Sequence, residues 1–184
     1  MIYSPREDSF LLEKQVKKFA QRRNVLDIGC GSGIQMEAAL NSGASSVLGS
    51  DIDKKSISFC KKKGLDVIES DLFFNIEKSE KFDLIIFNPP YLPYDEKEDE
   101  ESSLTTSGGK KGDEIIVRFL EGVNNYLTQE GIVLLVVSSL TPRERINGKI
   151  LELNYSIEVM AKENFFMERI EVWKIGRNDI LHRN

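Results

Sequence analysis

The sequence predicts an α/β fold in which a mostly parallel β-sheet carries helices on both faces. Two features predict it. Runs of Val, Ile and Leu are continuous, whereas a strand with one wet face would alternate apolar and polar residues. These runs alternate with stretches of helical pattern, which is the order of right-handed βαβ crossovers. A chain of 184 residues suits one domain, so residues 1–184 are predicted to form a single domain.

The predicted elements begin with a helix over Glu7–Ala20, capped near Ser4–Pro5, with Phe10, Leu11 and Val16 facing inward. Apolar runs then predict five strands, at Asn24–Gly29, Ser45–Ile52, Leu65–Ser70, Phe82–Asn88 and Gly131–Ser139. Helical patterns follow at Ile34–Asn41, Lys54–Lys63, Asp113–Leu127 and Pro142–Leu153.

The C-terminal part of the chain has a different pattern. Tyr155–Asn164 and Met167–Gly176 both alternate apolar and polar residues, with Phe165–Phe166 between them. This alternation predicts an antiparallel hairpin that adds a sixth and a seventh strand to the sheet.

Composition and charge narrow the possible functions. The formal net charge is −5, from 25 basic and 30 acidic residues, and Asp95–Glu101 alone accounts for it. Proteins that hold a nucleic-acid backbone usually show a basic surface, so this balance argues against nucleic acid as a partner. No apolar run approaches the roughly 20 residues of a membrane span, and Met1–Phe10 lacks the layout of a signal peptide. We therefore expect a cytoplasmic protein without a membrane partner.

The two cysteines, Cys30 and Cys60, do not have the spacing of metal ligands. We expect free thiols in a reducing cytoplasm and no metal site.

A glycine-rich segment, Asp27–Gly33 (DIGCGSG), follows the first predicted strand. Gly29, Gly31 and Gly33 let the backbone approach a ligand closely and present amides at a helix N-terminus. A nicotinamide-binding loop would have a further glycine where this chain has Ile34. A turn that serves only packing would show the same glycines, so the loop needs support from other strand ends.

That support comes from acidic residues, because ligands of open parallel sheets bind outside the carboxyl ends of the strands. Asp51 ends the second strand, where it could accept both ribose hydroxyls of a nucleoside. Asp71 follows the third strand and could accept from an adenine amine, although a loop acid would look the same. Asp53 is expected to cap the next helix. Three such strand ends together predict an adenosine-containing ligand.

S-adenosylmethionine suits this site better than ATP. The glycine-rich segment lacks the lysine of a phosphate-binding loop. Asp27 would also repel a triphosphate, whereas it would attract the ammonium group of S-adenosylmethionine.

The fourth strand ends in Asn88-Pro89-Pro90-Tyr91. A rigid turn would explain the prolines, since proline fixes φ and cannot donate to a sheet. Beside a methyl-donor site, however, the tetrapeptide resembles the D/N-P-P-Y/F signature of amino methyltransferases that act on planar nitrogen. The resemblance implies that the Asn88 side-chain oxygen and the Pro89 carbonyl accept N–H bonds of the methyl acceptor. It also implies that Pro89 and Pro90 hold these groups still while Tyr91 stacks on the acceptor.

Two further segments resemble the HemK-type glutamine methyltransferases that modify release factors in archaea and eukaryotes. Tyr3–Leu12 (YSPREDSFLL) is similar to their Tyr-x-Pro-x-Glu-Asp-Ser/Thr segment, and Ser107–Leu120 to the Gly-Gly-x-x-Gly-x-Glu start of a helix. We also expect the short form of the family, which lacks the N-terminal helical domain of bacterial HemK proteins, because the sequence starts with the catalytic segment. The resemblance implies a Rossmann-like class I S-adenosylmethionine-dependent methyltransferase fold, with a seven-stranded, mostly parallel sheet and an antiparallel C-terminal hairpin.

The resemblance also implies which residues form the site. The N-terminal segment, residues 1–20, would close over the cofactor through Ser9 and the Glu7–Asp8 pair. The loop 92–111, acidic and then Gly-rich, would help to shape the substrate entrance. The residues expected to line the cofactor are Ser9, Asp27, Gly29, Gly31, Gly33, Asp51, Asp71 and Asn88.

The implied substrate is the glutamine of the Gly-Gly-Gln motif in a class-I peptide release factor. The implied partner is a small zinc-binding activator, which would add to the sheet at the edge strand Leu65–Ser70. Two other functions stay open at this point. An N6-adenine methyltransferase of RNA or DNA would need a basic groove or a target-recognition region, and an inactive methyltransferase-like binding subunit would usually lose the acids or the NPPY residues.

Overall fold

The computed structural model describes residues 5–90, 112–165 and 167–178. Its strands are β1 (Asn24–Ile28), β2 (Ser46–Asp51), β3 (Val67–Glu69), β4 (Phe82–Phe87), β5 (Leu127–Ser138), β6 (Tyr155–Phe165) and β7 (Glu168–Arg177). They form one seven-stranded sheet in the order β3-β2-β1-β4-β5-β7-β6. The first five strands pair in parallel, and β7 lies antiparallel between β5 and β6. The predicted mostly parallel sheet with its C-terminal hairpin is confirmed.

The helices of the described residues are α1 (Glu7–Phe19), α2 (Ile34–Asn41), α3 (Lys54–Lys62), α4 (Glu114–Val123) and α5 (Glu144–Glu152). The buried side chains of α1, α2 and α3 share one core, and those of α4 and α5 share a second core. The sheet therefore carries helices on both faces.

The central strands explain why their apolar runs are continuous. In β4, Leu84 and Ile86 point into the core shared with α1 to α3, whereas Ile85 and Phe87 point into the core shared with α4 and α5. All four side chains are at most 2% exposed. A strand with cores on both sides has no wet face, so alternation disappears from its sequence.

The boundary between α4 and β5 differs from the prediction. The helix ends at Val123, not at Leu127, and β5 begins four residues before the predicted Gly131. A tight turn separates them, in which the Tyr126 amide donates to the Val123 carbonyl at 3.0 Å. The Tyr126 ring stacks on Phe73 with centroids 4.7 Å apart. Packing of one aromatic side chain thus ends a helix that periodicity alone would extend.

The N-terminal helix also departs from the prediction in one residue. Leu11 and Val16 are buried as expected, but Phe10 is 47% exposed and Leu12 is fully buried in its place. Residues 8, 11, 12, 15 and 16 form one stripe at helical spacing, and Phe10 lies outside it. The helix begins at Glu7 with Arg6 at the N-cap position. The predicted cap residue Ser4 and the loop 92–111 lie outside the described residues.

The predicted third strand is shorter than expected but has the expected place. Only Val67–Glu69 forms β3, and this strand is an edge of the sheet, paired with β2 alone. Among the helices of the described residues, none has the length and apolar character needed to cross a membrane.

Candidate functional site

The carboxyl ends of the parallel strands bring the predicted site segments to one edge of the sheet. Ile28 of β1 is in register with Ser50 of β2 and with Phe87 of β4. The segments that follow these residues, Gly29–Gly33, Asp51 and Asn88, therefore leave the sheet side by side. β1 is also where the strand order reverses, between β2 and β4, which is where open α/β sheets bind ligands.

The glycine-rich loop between β1 and α2 depends on left-handed backbone. Gly29, Gly31 and Gly33 have φ angles of 65°, 50° and 80°. A Cβ atom on Gly33 would lie 2.5 Å from the Leu65 Cδ1 atom, so this position has neither the backbone angle nor the space for a side chain. The loop can pass close to a ligand because these three positions carry no side chain.

Asp27 lies beneath this loop in an unfavourable setting for a carboxylate. It is 2% exposed, and its Oδ2 atom is covered without a hydrogen-bond partner among the described residues. Burial, together with the nearby charges of Asp51 and Cys60, raises the pKa of Asp27 well above its ordinary value. A cation placed against this carboxylate would relieve both effects.

Asp51 is held by the backbone on both of its oxygens. Oδ2 accepts from the Gly31 amide and Oδ1 accepts from the Asp53 amide, each at 2.8 Å. Burial raises the pKa of Asp51, and these two hydrogen bonds oppose that rise. The carboxylate therefore fixes the glycine-rich loop and retains lone pairs that can accept from a ligand.

Asp53 caps α3, as predicted. Its oxygens accept from the amides of Lys55 at 3.0 Å and Ser56 at 3.2 Å. Although burial acts to raise it, these hydrogen bonds leave the pKa of Asp53 below its ordinary value. This residue stabilises the helix and does not point into the candidate site.

Asp71 is positioned after β3 as expected but is engaged elsewhere. Its Oδ2 atom accepts from the Arg118 Nη2 atom of α4 at 2.7 Å. The two side chains are 43% and 53% exposed, and ion pairs this exposed contribute little to the stability of a protein. The structure therefore brings Asp71 to the correct edge of the sheet, with an ion pair that a ligand could displace.

Asn88 lies directly after β4, with Pro89 buried behind it. The Asn88 Nδ2 atom donates to the Asp8 Oδ2 atom at 3.1 Å. The Asn88 Oδ1 atom is covered and has no hydrogen-bond partner among the described residues. Pro90 is half-buried, and Tyr91 lies outside the described residues.

Ser9 is in the first turn of α1, next to Asp8, whose carboxylate accepts from Asn88. The Ser9 amide and hydroxyl donate to Asp8 Oδ1 at 2.7 Å and 3.3 Å. The Ser9 carbonyl accepts from the Gln35 Nε2 atom of α2 at 2.9 Å. The first turn of α1 thus contacts both the start of α2 and the end of β4.

Two polar residues near the site were not predicted from the sequence. Gln35 is 4% exposed and Ser50 is 1% exposed, and each has a covered oxygen without a hydrogen-bond partner in the described part of the chain. With Asp27 Oδ2 and Asn88 Oδ1, they make four unsatisfied acceptors on one edge of the sheet. Buried polar atoms are normally paired, so such a concentration is typical of a ligand site. For Gln35, the signal available in the sequence was a polar residue between two apolar ones, Ile34 and Met36.

Cys30, within the glycine-rich loop, and Cys60, in α3, are buried free thiols, as predicted. The Cys60 thiol donates to the Gly31 carbonyl with an Sγ–O distance of 3.4 Å. A hydrogen bond to Cys60 and burial raise the pKa of Cys30. Cys30 is therefore held as a neutral thiol beside Asp27.

Comparison with known proteins gives the family. Residues 7–167 match the sequence model of the family described as Methyltransferase small domain. A Methanocaldococcus jannaschii protein assigned as a protein N5-glutamine methyltransferase is 36% identical, over 95% of this chain and 92% of that protein. The eRF1 methyltransferase catalytic subunit of Schizosaccharomyces pombe is 26% identical, over 97% of this chain and 86% of that protein.

Solved structures show the same fold. A chain of the E. cuniculi Mtq2–Trm112 complex, which is responsible for methylation of the translation termination factor eRF1, superimposes with a TM-score of 0.77 at 22% identity. The superposition covers 96% of this chain and 98% of that chain. The sheet described above is the class I methyltransferase fold, as the resemblance implied. The chain therefore belongs to the Methyltransferase small domain family and, within it, to the HemK-type protein glutamine N5-methyltransferases.

Proposed function

We propose that this protein transfers a methyl group from S-adenosylmethionine to the side-chain nitrogen of a glutamine. The glutamine belongs to the Gly-Gly-Gln motif of a class-I peptide release factor. The observation that carries the proposal is the Asn88 Oδ1 atom, a covered acceptor without a partner among the described residues, at the end of β4 and beside the glycine-rich loop.

The residues of the site suit S-adenosylmethionine. The loop turns at the left-handed glycines 29, 31 and 33 and carries no side chain at these positions, which suits close approach of a ligand. The unsatisfied Asp27 carboxylate favours a cation, such as the ammonium of the methionine part. In the proposed site Asp51 would accept from ribose hydroxyls, and Asp71, once released by Arg118, would accept from the adenine amine. Ser9 would close the site from α1.

The chemistry places particular demands on this chain. An amide nitrogen is a poor nucleophile because its lone pair is delocalised into the carbonyl. Asn88 Oδ1 and the Pro89 carbonyl would accept the two N–H bonds of the glutamine and orient its nitrogen. These acceptors also favour the positive charge that develops on nitrogen as the N–C bond forms and the C–S bond of the methyl donor breaks. One N–H proton of the methylated nitrogen would then pass to solvent water. When bound, S-adenosylmethionine supplies a methyl group activated by its sulfonium.

The proposed acceptor follows from the relatives and from charge. The relatives described above are named for methylation of protein glutamine and of eRF1. The chain has a formal net charge of −5, which opposes binding to a nucleic-acid backbone and suits a basic protein surface. A release factor as methyl acceptor agrees both with the names of the relatives and with the negative net charge of this chain.

The proposed partner is a small activator protein, zinc-binding in this family, on the β3 edge. This strand pairs with β2 on one side only, which leaves its other side for strand addition. Beside it lies a shallow open groove lined by Lys54, Ile57, Ser58, Lys61, Lys62 and Glu69. None of the predicted site residues lines this groove, so a protein docked there leaves the cofactor edge open to the substrate.

The test is the peptide mass of a class-I release factor after incubation with this protein and S-adenosylmethionine, with and without the activator. We expect one added methyl group on the glutamine of the Gly-Gly-Gln motif, and none on a release factor with alanine at that position. Asn88→Ala should abolish turnover while its dissociation constant for S-adenosylmethionine stays within a few-fold of wild type. Absence of methylation with and without the activator, with cofactor binding intact, would contradict the proposed substrate.

A further inference from the structure

The Asn88 carboxamide has two ends with opposite chemistry, and only one orientation serves the proposed reaction. Its oxygen accepts hydrogen bonds, and its nitrogen only donates them. If the side-chain amide were flipped by 180°, Nδ2 would face the methyl acceptor and repel the N–H groups from which Oδ1 is proposed to accept. Something in the protein must therefore select the orientation.

A carboxylate can make that selection, because it accepts hydrogen bonds and cannot donate them. The Asp8 Oδ2 atom lies 3.1 Å from Asn88 Nδ2. The same carboxylate is anchored through Oδ1 by the Ser9 amide at 2.7 Å. Asp8 is 5% exposed, so little water competes for these bonds.

We propose that Asp8 is a positioning residue that holds Asn88 with its Oδ1 atom toward the methyl acceptor; this inference rests on the proposed function. The Asp8 charge also polarises the carboxamide, which makes Oδ1 a stronger acceptor as positive charge develops on the substrate nitrogen. Asp8 acts through Asn88 and does not itself contact the acceptor. The fold supports it by placing the first turn of α1 against the end of β4.

The first variant is Asp8→Asn, which keeps the shape and removes the charge. An asparagine at this position can offer either its oxygen or its nitrogen to Asn88, so the orientation is no longer selected. We expect kcat to fall by about tenfold to a hundredfold, with the dissociation constant for S-adenosylmethionine changed much less. Glu13→Gln is the matched control, since Glu13 lies on the same helix in a surface ion pair with Lys17. Its kcat should equal that of wild type.

The second test exchanges the two side chains. Asn88→Asp alone sets two carboxylates against each other across the distance that the hydrogen bond now spans, so it should be less active than Asp8→Asn. The double variant Asp8→Asn with Asn88→Asp restores a donor facing an acceptor and leaves a carboxylate oxygen toward the substrate. It should regain at least about tenfold in kcat over Asn88→Asp alone. A double variant no more active than Asn88→Asp would overturn the proposal, as would an unchanged kcat in Asp8→Asn.

A third measurement does not depend on turnover. The side-chain NH₂ resonances of Asn88 are identified by their loss in Asn88→Ala, and their exchange with water is compared in wild type and Asp8→Asn. We expect slow exchange in wild type and faster exchange with a shifted resonance in Asp8→Asn. Identical spectra and exchange rates would overturn the contact. If wild type does not methylate the release factor, the proposed substrate fails, and this spectrum still decides whether Asp8 holds Asn88.

Discussion

The buried carboxylate of Asp27 should lower the free energy of unfolding, and the same carboxylate is proposed to bind the cofactor. We predict that Asp27→Asn stabilises the protein in the absence of cofactor and weakens its binding of S-adenosylmethionine. The side chain is 2% exposed, and its covered Oδ2 atom has no partner among the described residues. Leaving a buried polar group unpaired costs about 1–3 kcal/mol, and more when the group is charged, so the substitution removes the part of the cost that is due to the charge. Asparagine has nearly the same shape but no charge to desolvate.

The size and pH dependence of the effect can be worked out. A gain of about 2 kcal/mol corresponds to roughly 4–8 °C in Tm for a chain of this length. The raised pKa of Asp27 means that the folded protein keeps this proton to higher pH than the unfolded chain does. Between the two pKa values the folded state binds more protons, so this group lowers stability as pH rises from about 4 toward neutrality. The Tm advantage of Asp27→Asn should therefore be small near pH 4 and grow with pH.

The assay is thermal unfolding of wild type and Asp27→Asn without cofactor from pH 4 to pH 8, with calorimetric titration of S-adenosylmethionine at pH 8. We expect the dissociation constant to rise roughly tenfold to a hundredfold, since a hydrogen bond to a charged group is worth about 1.5–3 kcal/mol. A Tm difference that is equal at pH 4 and pH 8 would show that Asp27 is not a penalised buried acid. A Tm below that of wild type at every pH would refute the reasoning outright.

Two further predictions concern the loop and its anchor. Gly33→Ala should lower Tm by roughly 4–10 °C and weaken cofactor binding, because the added Cβ would meet Leu65 at left-handed φ. At Gly64 φ is 79°, and an added Cβ atom would have no described atom within 4 Å other than those of its chain neighbours. Gly64→Ala therefore isolates the backbone strain and should keep wild-type affinity. Asp51→Ala should raise the dissociation constant for S-adenosylmethionine by about tenfold or more, as both ligand contacts and the Gly31 anchor are lost. Asp53→Ala should instead cost about 1 kcal/mol in unfolding free energy without changing that constant, and equal affinities in the two aspartate variants would contradict the ribose assignment.

The convergence of the residues proposed to bind the cofactor could be predicted from the sequence because it follows from strand topology. Once the first five strands are parallel, their carboxyl ends lie on one edge of the sheet. The glycine-rich loop, Asp51 and Asn88, which lie at three of these ends, must therefore come together. Because each of these residues lies at the end of a predicted strand or directly after it, their positions in the sequence are enough to predict that they meet. The cap at Asp53 was equally readable because it depends only on the next three residues.

Features that depend on contacts between distant segments of the chain could not be predicted from the sequence. Arg118 pairs with Asp71 across 47 positions, and nothing near either residue signals it. The end of α4 depends on Tyr126 stacking on Phe73, which overrides a helical pattern that continues to Leu127. The prediction for Phe10 is wrong because this residue lies outside the buried stripe of α1, so its apolar character alone does not predict burial.

The first turn of α1 explains why a segment that precedes β1 in sequence matters at the end of β4. Its neighbouring residues act on different parts of the site: the Ser9 carbonyl accepts from Gln35 at the start of α2, and Asp8 accepts from Asn88, 80 positions along the chain. A shift of this turn would therefore change the position of Gln35, which follows the glycine-rich loop, and the orientation of Asn88 together. Binding of a cofactor against Ser9 would stabilise the same turn that holds Asn88. In the proposed site, order at the methyl donor and order at the methyl acceptor would thus be coupled through Asp8 and Ser9.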